Sequence, residues 1–294
     1  MLDVRRILCT TDYSPCADAA LPVAARLADL FSAELHLLHV VELHGDGPEK
    51  KAFAQLEERG HELDVGSGTL VTAQERVVSV APGVLEYTET HDIDLVVIST
   101  HGRRGLRHFL LGSVAEEVVQ RCKCPVLTVR KADAEPEIHL PRQILVPVDL
   151  SSHSRRALAH AKELAALGDA SLQLLHVLEQ PVIPAYYDAP LLSSSVTNGE
   201  PAQEARKALE RLYGEAAGPE GSFSVHAQSG MAIDTILRFA EENSSELIVL
   251  ASHGLTGLSH LLLGSVAEKI VRRSTIPVLT VKSFGKSLLR KDAA

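Results

Sequence analysis

The sequence contains no tryptophan, few other aromatic residues and no long basic or apolar run. Aromatic residues make up 4% of its 294 residues, and 38 acidic against 29 basic side chains give a formal charge of −9. Such a chain lacks the basic surface that nucleic acid or an anionic membrane needs, and no apolar run approaches the roughly 20 residues of a membrane helix. Charges in residues 1–6 leave no apolar core for a signal peptide. We therefore expect a cytoplasmic protein that binds neither nucleic acid nor a membrane.

Cysteine is also scarce, and its placement is uneven. All four cysteines lie in the first half of the chain: Cys9, Cys16, Cys122 and Cys124. This distribution argues against a disulfide framework. Only one residue separates Cys122 from Cys124, whereas zinc pairs usually have about two to four intervening residues. We interpret the four side chains as buried or idle thiols, with a metal or redox role as the alternative.

One loop sequence occurs twice. The first copy runs from Ser99 through His101 and Gly102, and nine residues later continues as Gly112-Ser113. The second copy begins at Ala251 and repeats this spacing with His253, Gly254, Gly264 and Ser265. Residues 103–130 and 255–282 are identical at 17 of 28 positions. The chain is therefore an internal duplication and should form two related domains.

Strand and helix patterns alternate along both repeats. In the first helix, Ser14 is the predicted N-cap and Pro22 should produce a kink. The third strand is placed within Glu75–Val80. The other predicted strands are 7–12, 35–41, 95–98, 125–129, 144–149, 174–177, 223–228, 247–250 and 277–281, and the other predicted helices are 48–64, 82–91, 113–121, 201–213 and 233–242.

These patterns set the expected domain boundaries. Residues 1–131 form the first domain, 132–141 a linker and 142–284 the second domain. A longer loop within 179–204 accounts for the extra length of the second repeat. Residues 285–294 form a polar tail that should be frayed.

Alternating strands and helices predict α/β domains, each a parallel sheet with helices on both faces. Ligands of such sheets bind beyond the carboxyl ends of the strands, where the strand order reverses. Asp12 and Asp149 end the first strand of each repeat, and the glycine loops follow the fourth strand. We expect one crevice per repeat to collect them.

The chemistry of this crevice suits a phosphate. Glycines permit close backbone approach, and the helix that follows presents free N–H groups with the positive end of its dipole. Ser113 and Ser265 add hydroxyls and begin predicted capping boxes with Glu116 and Glu268. The aspartates could accept hydrogen bonds from ribose, and the backbone of Val40 and Val177 could read a base edge. The structural alternative for each glycine loop is a tight turn.

The chain resembles the universal stress protein family. That family's ATP-binding pattern is Gly-x-x-Gly, nine residues, then Gly-Ser/Thr, and both repeats match it except at the first glycine, where Ser99 and Ala251 stand. The resemblance implies two Rossmann-like domains of the adenine nucleotide alpha hydrolase type, each with a five-stranded sheet. It also implies ATP or a related adenine nucleotide as ligand, Mg²⁺ as a candidate companion ion, a role in stress response, and at most slow ATP hydrolysis. The candidate nucleotide-binding residues are Thr11, Asp12, Val40, Ser99, His101, Gly102, Arg103, Gly112, Ser113, Val114, Val148, Asp149, Val177, Gly230, Ala251, His253, Gly254, Gly264, Ser265 and Val266.

The resemblance also predicts how the two domains associate. In the family the last strand pairs across a dimer interface. Strands Val126–Val129 and Val278–Val281 should therefore pair within this chain as a pseudo-dimer, and a homodimer is a further expectation.

The two sites should differ. The first loop carries Arg103, which could neutralise phosphate, whereas Leu255 stands there in the second. Gly230 precedes a helix of the second repeat at a point where the family usually has glycine, and Val78 takes that place in the first repeat. We expect both sites to form, with the second the slightly better binder.

Two other functions stay open. The loss of the first glycine favours a member of the family that binds no nucleotide and serves as an interaction scaffold. Fourteen histidines suggest a zinc-dependent hydrolase, although no ligand cluster or nucleophile–base pair is evident. His39 and His176 are interpreted as hydrogen-bonded histidines at the edge of the core.

Overall fold

The computed structural model describes residues 1–42, 49–100, 111–130, 139–179, 199–253, 263–282 and 284–290. The predicted linker and the long loop of the second repeat lie largely outside these residues. The strands are β1 Arg6–Thr10, β2 Glu34–Glu42, β3 Thr69–Val77, β4 Leu95–Ser99, β5 Val126–Val129, β6 Gln143–Pro147, β7 Ser171–Leu178, β8 Phe223–Ser229, β9 Leu247–Ala251 and β10 Val278–Val281. The helices are α1 Pro15–Asp18, α2 Leu21–Phe31, α3 Glu49–Glu62, α4 Val80–Thr90, α5 Ser113–Arg121, α6 Ser152–Gly168, α7 Glu200–Glu215, α8 Ala232–Glu242 and α9 Ser265–Arg273.

Both repeats contribute to one ten-stranded sheet. The strand order is β3-β2-β1-β4-β5-β10-β9-β6-β7-β8. Strands within each half are parallel, and the halves join where β5 runs antiparallel to β10, with Leu127 opposite Leu279. The α/β class and the intramolecular pairing of the last strands, both predicted from the sequence, are confirmed.

The core lies on both faces of this sheet because side chains alternate along each strand. In β1, Ile7 and Cys9 pack on the face covered by α2, α3, α6 and α7. Leu8 points to the opposite face, which α4, α5, α8 and α9 cover. Each helix needs only one apolar stripe in this arrangement, and none of the described helices has the length and apolar character required to cross a bilayer.

The first helix differs from its predicted form. Instead of one kinked helix, α1 and α2 are separate, and Pro22 lies in the first turn of α2. The missing N–H of a proline costs nothing there. In the second repeat Ala159 takes the place of Pro22, and α6 is continuous. The predicted N-cap is confirmed, since the Ser14 side chain accepts the N–H of Ala17.

Strand β3 begins earlier in the chain than the sequence predicts. The prediction put it within Glu75–Val80, whereas β3 spans Thr69–Val77 and pairs with β2 along its whole length. It is an edge strand of half-exposed residues. Because neither of its faces is fully buried, it lacks the alternation of apolar and polar residues that marks an ordinary strand.

The predicted frayed tail is wrong for residues 285–290. Leu288 is buried, and its carbonyl accepts the N–H of Asp3. The ammonium of Lys286 pairs with Asp92 and Asp94. Residues 285–290, called the chain end below, are therefore fixed against the first domain, and Lys286 forms an ion pair there.

A pair of threonines at the β5–β10 junction yields a stability prediction. Thr128 donates its hydroxyl to the carbonyl of Val278 at 3.2 Å, whereas the buried Thr280 hydroxyl has no hydrogen-bond partner within the described residues. We expect Thr280→Val to raise the free energy of unfolding by about 1 kcal/mol and Thr128→Val to lower it by a similar amount. Urea denaturation of both variants tests this. Equal destabilisation by both substitutions would contradict the assignment of one satisfied and one unsatisfied hydroxyl.

Candidate functional site

Each half of the sheet has one point where the strand order reverses. In the first half it lies between β1 and β4, which pair through Cys9 and Val97. In the second it lies between β6 and β9, which pair through Leu145 and Ile248. Helices leave in opposite directions at such points and open a crevice beyond the carboxyl ends of the strands.

The structure brings many of the predicted residues to these two edges. Asp12 lies two residues beyond β1, and Asp149 lies two residues beyond β6. Ser99 and Ala251 are the last residues of β4 and β9. Because both positions are extended strand, neither requires glycine, and the departure from the family pattern leaves the backbone path intact. Four predicted residues lie outside the described residues, namely His101, Gly102, Arg103 and Gly254.

The helices that follow the loops begin at glycine. Gly112 and Gly264 are the N-caps of α5 and α9, and within the described residues no side chain caps either helix. The predicted capping boxes are therefore wrong, since Ser113 and Ser265 are the first helical residues and not the N-caps. The first N–H groups of a helix have no partner inside it, so both helix starts offer donors to an anion.

Each helix start is tied to the strand before its loop. The N–H of Gly112 donates to the carbonyl of Thr100 at 2.8 Å, and the N–H of Gly264 donates to that of Ser252 at 2.7 Å. Ser113 and Ser265 are exposed. These bonds place the two serines, and the adjoining Val114 and Val266, beside the crevice.

The two aspartates also stabilise the turns after strand one. Oδ1 of Asp12 accepts the N–H of Ser14 at 3.0 Å, and Oδ1 of Asp149 accepts that of Ser151 at the same distance. The residues between, Tyr13 and Leu150, both have φ of +63°. This left-handed turn fixes the direction of each carboxylate, so the predicted contact with ribose would come from a side chain that is already oriented.

Two histidines support the floor of the crevices. Nδ1–H of His39 donates to the carbonyl of Thr11 at 2.8 Å, and that of His176 donates to Val148 at 2.7 Å. The prediction of hydrogen-bonded histidines at the core edge is confirmed. The N–H groups of Thr11 and Val148 donate to Leu38 and Leu175. The backbone N–H and carbonyl groups of Thr11 and Val148 are thus hydrogen-bonded within the protein, so these two predicted site residues support the floor of the crevices.

The backbone of Val40 and Val177 faces the crevices. Leu38 turns its carbonyl toward β1, where it accepts the N–H of Thr11. Alternate residues of a strand direct their N–H and C=O to the same side, so Val40 also faces that side, beyond the end of β1. The same alternation from Leu175 orients Val177 beyond the end of β6. This geometry suits the predicted reading of a base edge.

The crevices differ at the ends of β3 and β8. Gly230 has a φ of +154°, and a Cβ there would lie 2.4 Å from Oγ1 of Thr235. Only glycine fits this backbone. The first repeat has Val78 at this position, with a side chain that is 74% exposed. Bare backbone is therefore present only in the second crevice.

The second crevice also has an aromatic cluster that the sequence reading missed. The ring of His253 lies 6.3 Å from that of His153 and 6.0 Å from that of Phe284, measured between centroids. His153 stands in the first turn of α6, only four residues after Asp149, so its spacing from a predicted site residue could have identified it. Phe284 is distant in sequence from every predicted site residue, so no sequence signal pointed to it.

The zinc hypothesis finds no ligands in the part of the chain that the structure describes. No three histidine, cysteine, aspartate or glutamate side chains there are arranged to hold a metal ion. A hydrolytic zinc site needs three protein ligands and an open position.

The comparisons with known proteins agree with this architecture. The model of the universal stress protein family matches twice, at residues 3–130 and 141–282. A universal stress protein of Mycolicibacterium smegmatis is 28% identical over 297 residues, which covers 94% of this chain and 96% of that protein. Universal stress protein A homolog 1 of Coxiella burnetii is 35% identical over 142 residues, covering 48% of this chain and 95% of that protein. The crystal structure of a universal stress protein from Archaeoglobus fulgidus has a TM-score of 0.69 at 22% identity and covers 94% of this chain and 98% of that one.

The fold and the two sites define a class of protein in which two doubly wound α/β domains are fused through their last strands. The family matches cover almost the whole chain. The chain belongs to the universal stress protein family and contains two copies of its domain.

Proposed function

We propose that both crevices bind ATP or a related adenine nucleotide and that the protein acts as a nucleotide-binding regulator in stress response. The observation that carries this proposal is the pair of glycine N-caps at the two points of strand reversal. Gly112 and Gly264 each begin a helix that no described side chain caps. Such a helix start provides N–H donors and a positive dipole end for a phosphate.

The remaining parts of a nucleotide have counterparts along the same edge. Oriented carboxylates at Asp12 and Asp149 suit ribose hydroxyls, which donate hydrogen bonds. The backbone of Val40 and Val177 suits a base. The phosphate, ribose and base contacts then follow one another across the ends of the central strands.

We further propose that the second site is the tighter one. Gly230 leaves bare backbone where the first repeat has the exposed side chain of Val78. A base can approach a glycine more closely than a β-branched residue. Mg²⁺ as a companion ion, weak ATP hydrolysis and a homodimer stay predictions of the family resemblance, and a cytoplasmic location stays a prediction from the composition of the sequence.

An interaction scaffold is the second candidate, and exposed apolar side chains favour it. Met231 is 69% exposed, and Leu150 and Val266 are also exposed beside the second crevice. These three residues all lie near the carboxyl ends of strands in the second half of the sheet, and a continuous apolar surface there would mark a site of protein contact. The scaffold would use this edge without a nucleotide.

Calorimetric titration of the purified protein with ATP separates the two candidates. Before titration, mass spectrometry of the gently purified protein identifies any nucleotide that has been retained. We expect binding of two ATP molecules with unequal affinities after that nucleotide is removed. No heat of binding at millimolar ATP, and no retained nucleotide, would favour the scaffold and reject the binding proposal.

A further inference from the structure

Two thiols lie side by side where α5 passes into β5. Cys122 is the C-cap of α5 and has an extended backbone, with φ −60° and ψ 138°. The chain bends at Lys123 and Cys124 before β5 begins. The Sγ atoms of Cys122 and Cys124 are 3.3 Å apart, and both side chains are buried.

A buried cation from the other domain lies next to this pair. Lys282 follows β10, and its ammonium donates to the carbonyl of Val119 in the last turn of α5. Burial lowers the pKa of Lys282, while the charges of the two thiols act in the opposite direction. When it is protonated, this lysine places a positive charge beside a thiolate at the junction of the two domains.

The two thiols are inequivalent. The hydrogen bond with Cys124 and, against the opposing effect of burial, the charge of Lys282 lower the pKa of Cys122 to about 6. The same hydrogen bond and burial raise the pKa of Cys124. Cys9, buried in the core without a cation, has its pKa raised to about 12. One thiolate with a thiol beside it is the arrangement of a reactive dithiol.

The chain end holds the loop of the two thiols in place. The N–H of Lys286 donates to the carbonyl of Lys123 at 2.8 Å. Gly285 has a φ of +104°, and a Cβ there would lie 2.3 Å from that carbonyl. The sulfur atoms must approach from 3.3 Å to about 2.05 Å to bond.

The second repeat lacks this arrangement. Ser274 and Ile276 occupy the positions of the two cysteines, and the Ser274 hydroxyl donates to the carbonyl of Ile276. Arg130 stands where the second repeat has Lys282, and its guanidinium donates to the carbonyl of Arg272. The junction of β5 and β10 thus has a corresponding cation on each side, Arg130 and Lys282, but thiols on one side only.

We propose that Cys122 and Cys124 form a peroxide-reactive dithiol that is oxidised to an intramolecular disulfide. The Cys122 thiolate attacks one oxygen of hydrogen peroxide, the O–O bond breaks, and the products are a sulfenic acid and hydroxide. The sulfur of Cys124 then attacks the Cys122 sulfur and displaces its hydroxyl, which leaves as water with the Cys124 proton. Two thiols and one peroxide yield one disulfide and two waters, so the two electrons lost by sulfur reduce the peroxide.

Alkylation of the wild-type protein tests the product. The reduced full-length chain is treated with equimolar hydrogen peroxide, alkylated under denaturing conditions and analysed by intact mass and peptide mapping. We expect a mass lower by two hydrogens before alkylation. After alkylation, Cys122 and Cys124 should carry no alkyl group and should be found linked to each other. The proposal is overturned if Cys16 is oxidised while Cys122 and Cys124 are both alkylated and therefore still reduced. It is also overturned if Cys122 accumulates as a sulfinic acid without the link to Cys124.

A pair of matched variants tests the role of the cation. Lys282→Met removes the charge beside the thiols, so less thiolate is present at pH 7 and oxidation should be at least about threefold slower. Arg130→Met changes the corresponding cation on the side without thiols and should leave the rate unchanged. Equal effects of both variants would contradict the assignment.

The wild-type reaction gives a test that does not depend on any variant folding. The charged and polar groups that act on the two sulfurs are Lys282, Lys286 and Thr88. With these neighbours, the oxidation rate should reach its maximum at a lower pH than the rate of an ordinary thiol does. A rate that still rises steeply above pH 8 would show that Cys122 is an ordinary thiol and would overturn the proposal.

Discussion

Gly264→Val should weaken ATP binding at the second site roughly 100-fold while the protein stays folded. Gly264 has φ −59° and ψ 142°, values that valine adopts without strain. A branched side chain there would cover the first N–H groups of α9. Losing two charge-assisted hydrogen bonds to phosphate costs about 3 kcal/mol, which weakens binding roughly 100-fold. Calorimetry should then show one ATP per chain in place of two.

Matched variants make this prediction specific. Gly112→Val should remove the other binding event, and the double variant should remove both. Gly214→Ala is the control, because a Cβ at that position on α7 meets no atom within 4 Å. Two undiminished binding events in Gly264→Val would show that phosphate does not use the start of α9.

The stability of the protein should fall between pH 6.5 and pH 4, and the buried His160 should be a major cause. Nδ1–H of His160 donates to the carbonyl of Arg156, so Nε2 is an acceptor, and it receives the N–H of Leu288. Burial lowers the pKa of His160 to about 4. The unfolded chain binds a proton below about pH 6.5 and the folded chain only below about pH 4, so acidification through this interval favours unfolding by up to about 3 kcal/mol.

The contribution of His160 is measured as a difference. Above pH 6.5 the histidine is neutral in both states, and below pH 4 it is charged in both, so its effect changes only between these values. Urea denaturation of the wild type and of His160→Asn at several pH values isolates it from the titration of carboxylates. If the two free energies of unfolding run parallel with pH, His160 is not the group responsible.

This histidine links acidity to the position of the chain end. Ser287 and Leu288 both contact Nε2 of His160, and Lys286 in the same segment contacts the first domain. Protonation of Nε2 replaces an acceptor by a donor that faces the N–H of Leu288. The segment that holds the thiol loop is therefore also the segment that acid should release.

The sequence predicts those parts of the fold that repeat or alternate. The duplicated loop places Gly112 and Gly264 at equivalent edges because the same local pattern occurs twice. The confirmed N-cap at Ser14 is also local, because the capping bond joins residues three apart. The β5–β10 pairing was predicted from the family resemblance, since no local pattern determines it.

The errors arise where distant contacts decide the local structure. Ser113 has the sequence of a capping box, but the bond between Gly112 and Thr100 fixes the glycine as the N-cap. Strand β3 gains its length by pairing with β2, which no local pattern reveals. The position of Phe284 beside His253 depends on the path of the chain end.

A crystal structure of the protein soaked in millimolar ATP tests the central claim most directly. We expect phosphate oxygens within hydrogen-bond distance of the N–H groups of Ser113 and Ser265, with the ribose beside Asp12 and Asp149. If both crevices are empty, or if the protein's own side chains fill them, the helix starts do not form phosphate sites and the nucleotide-binding proposal is wrong.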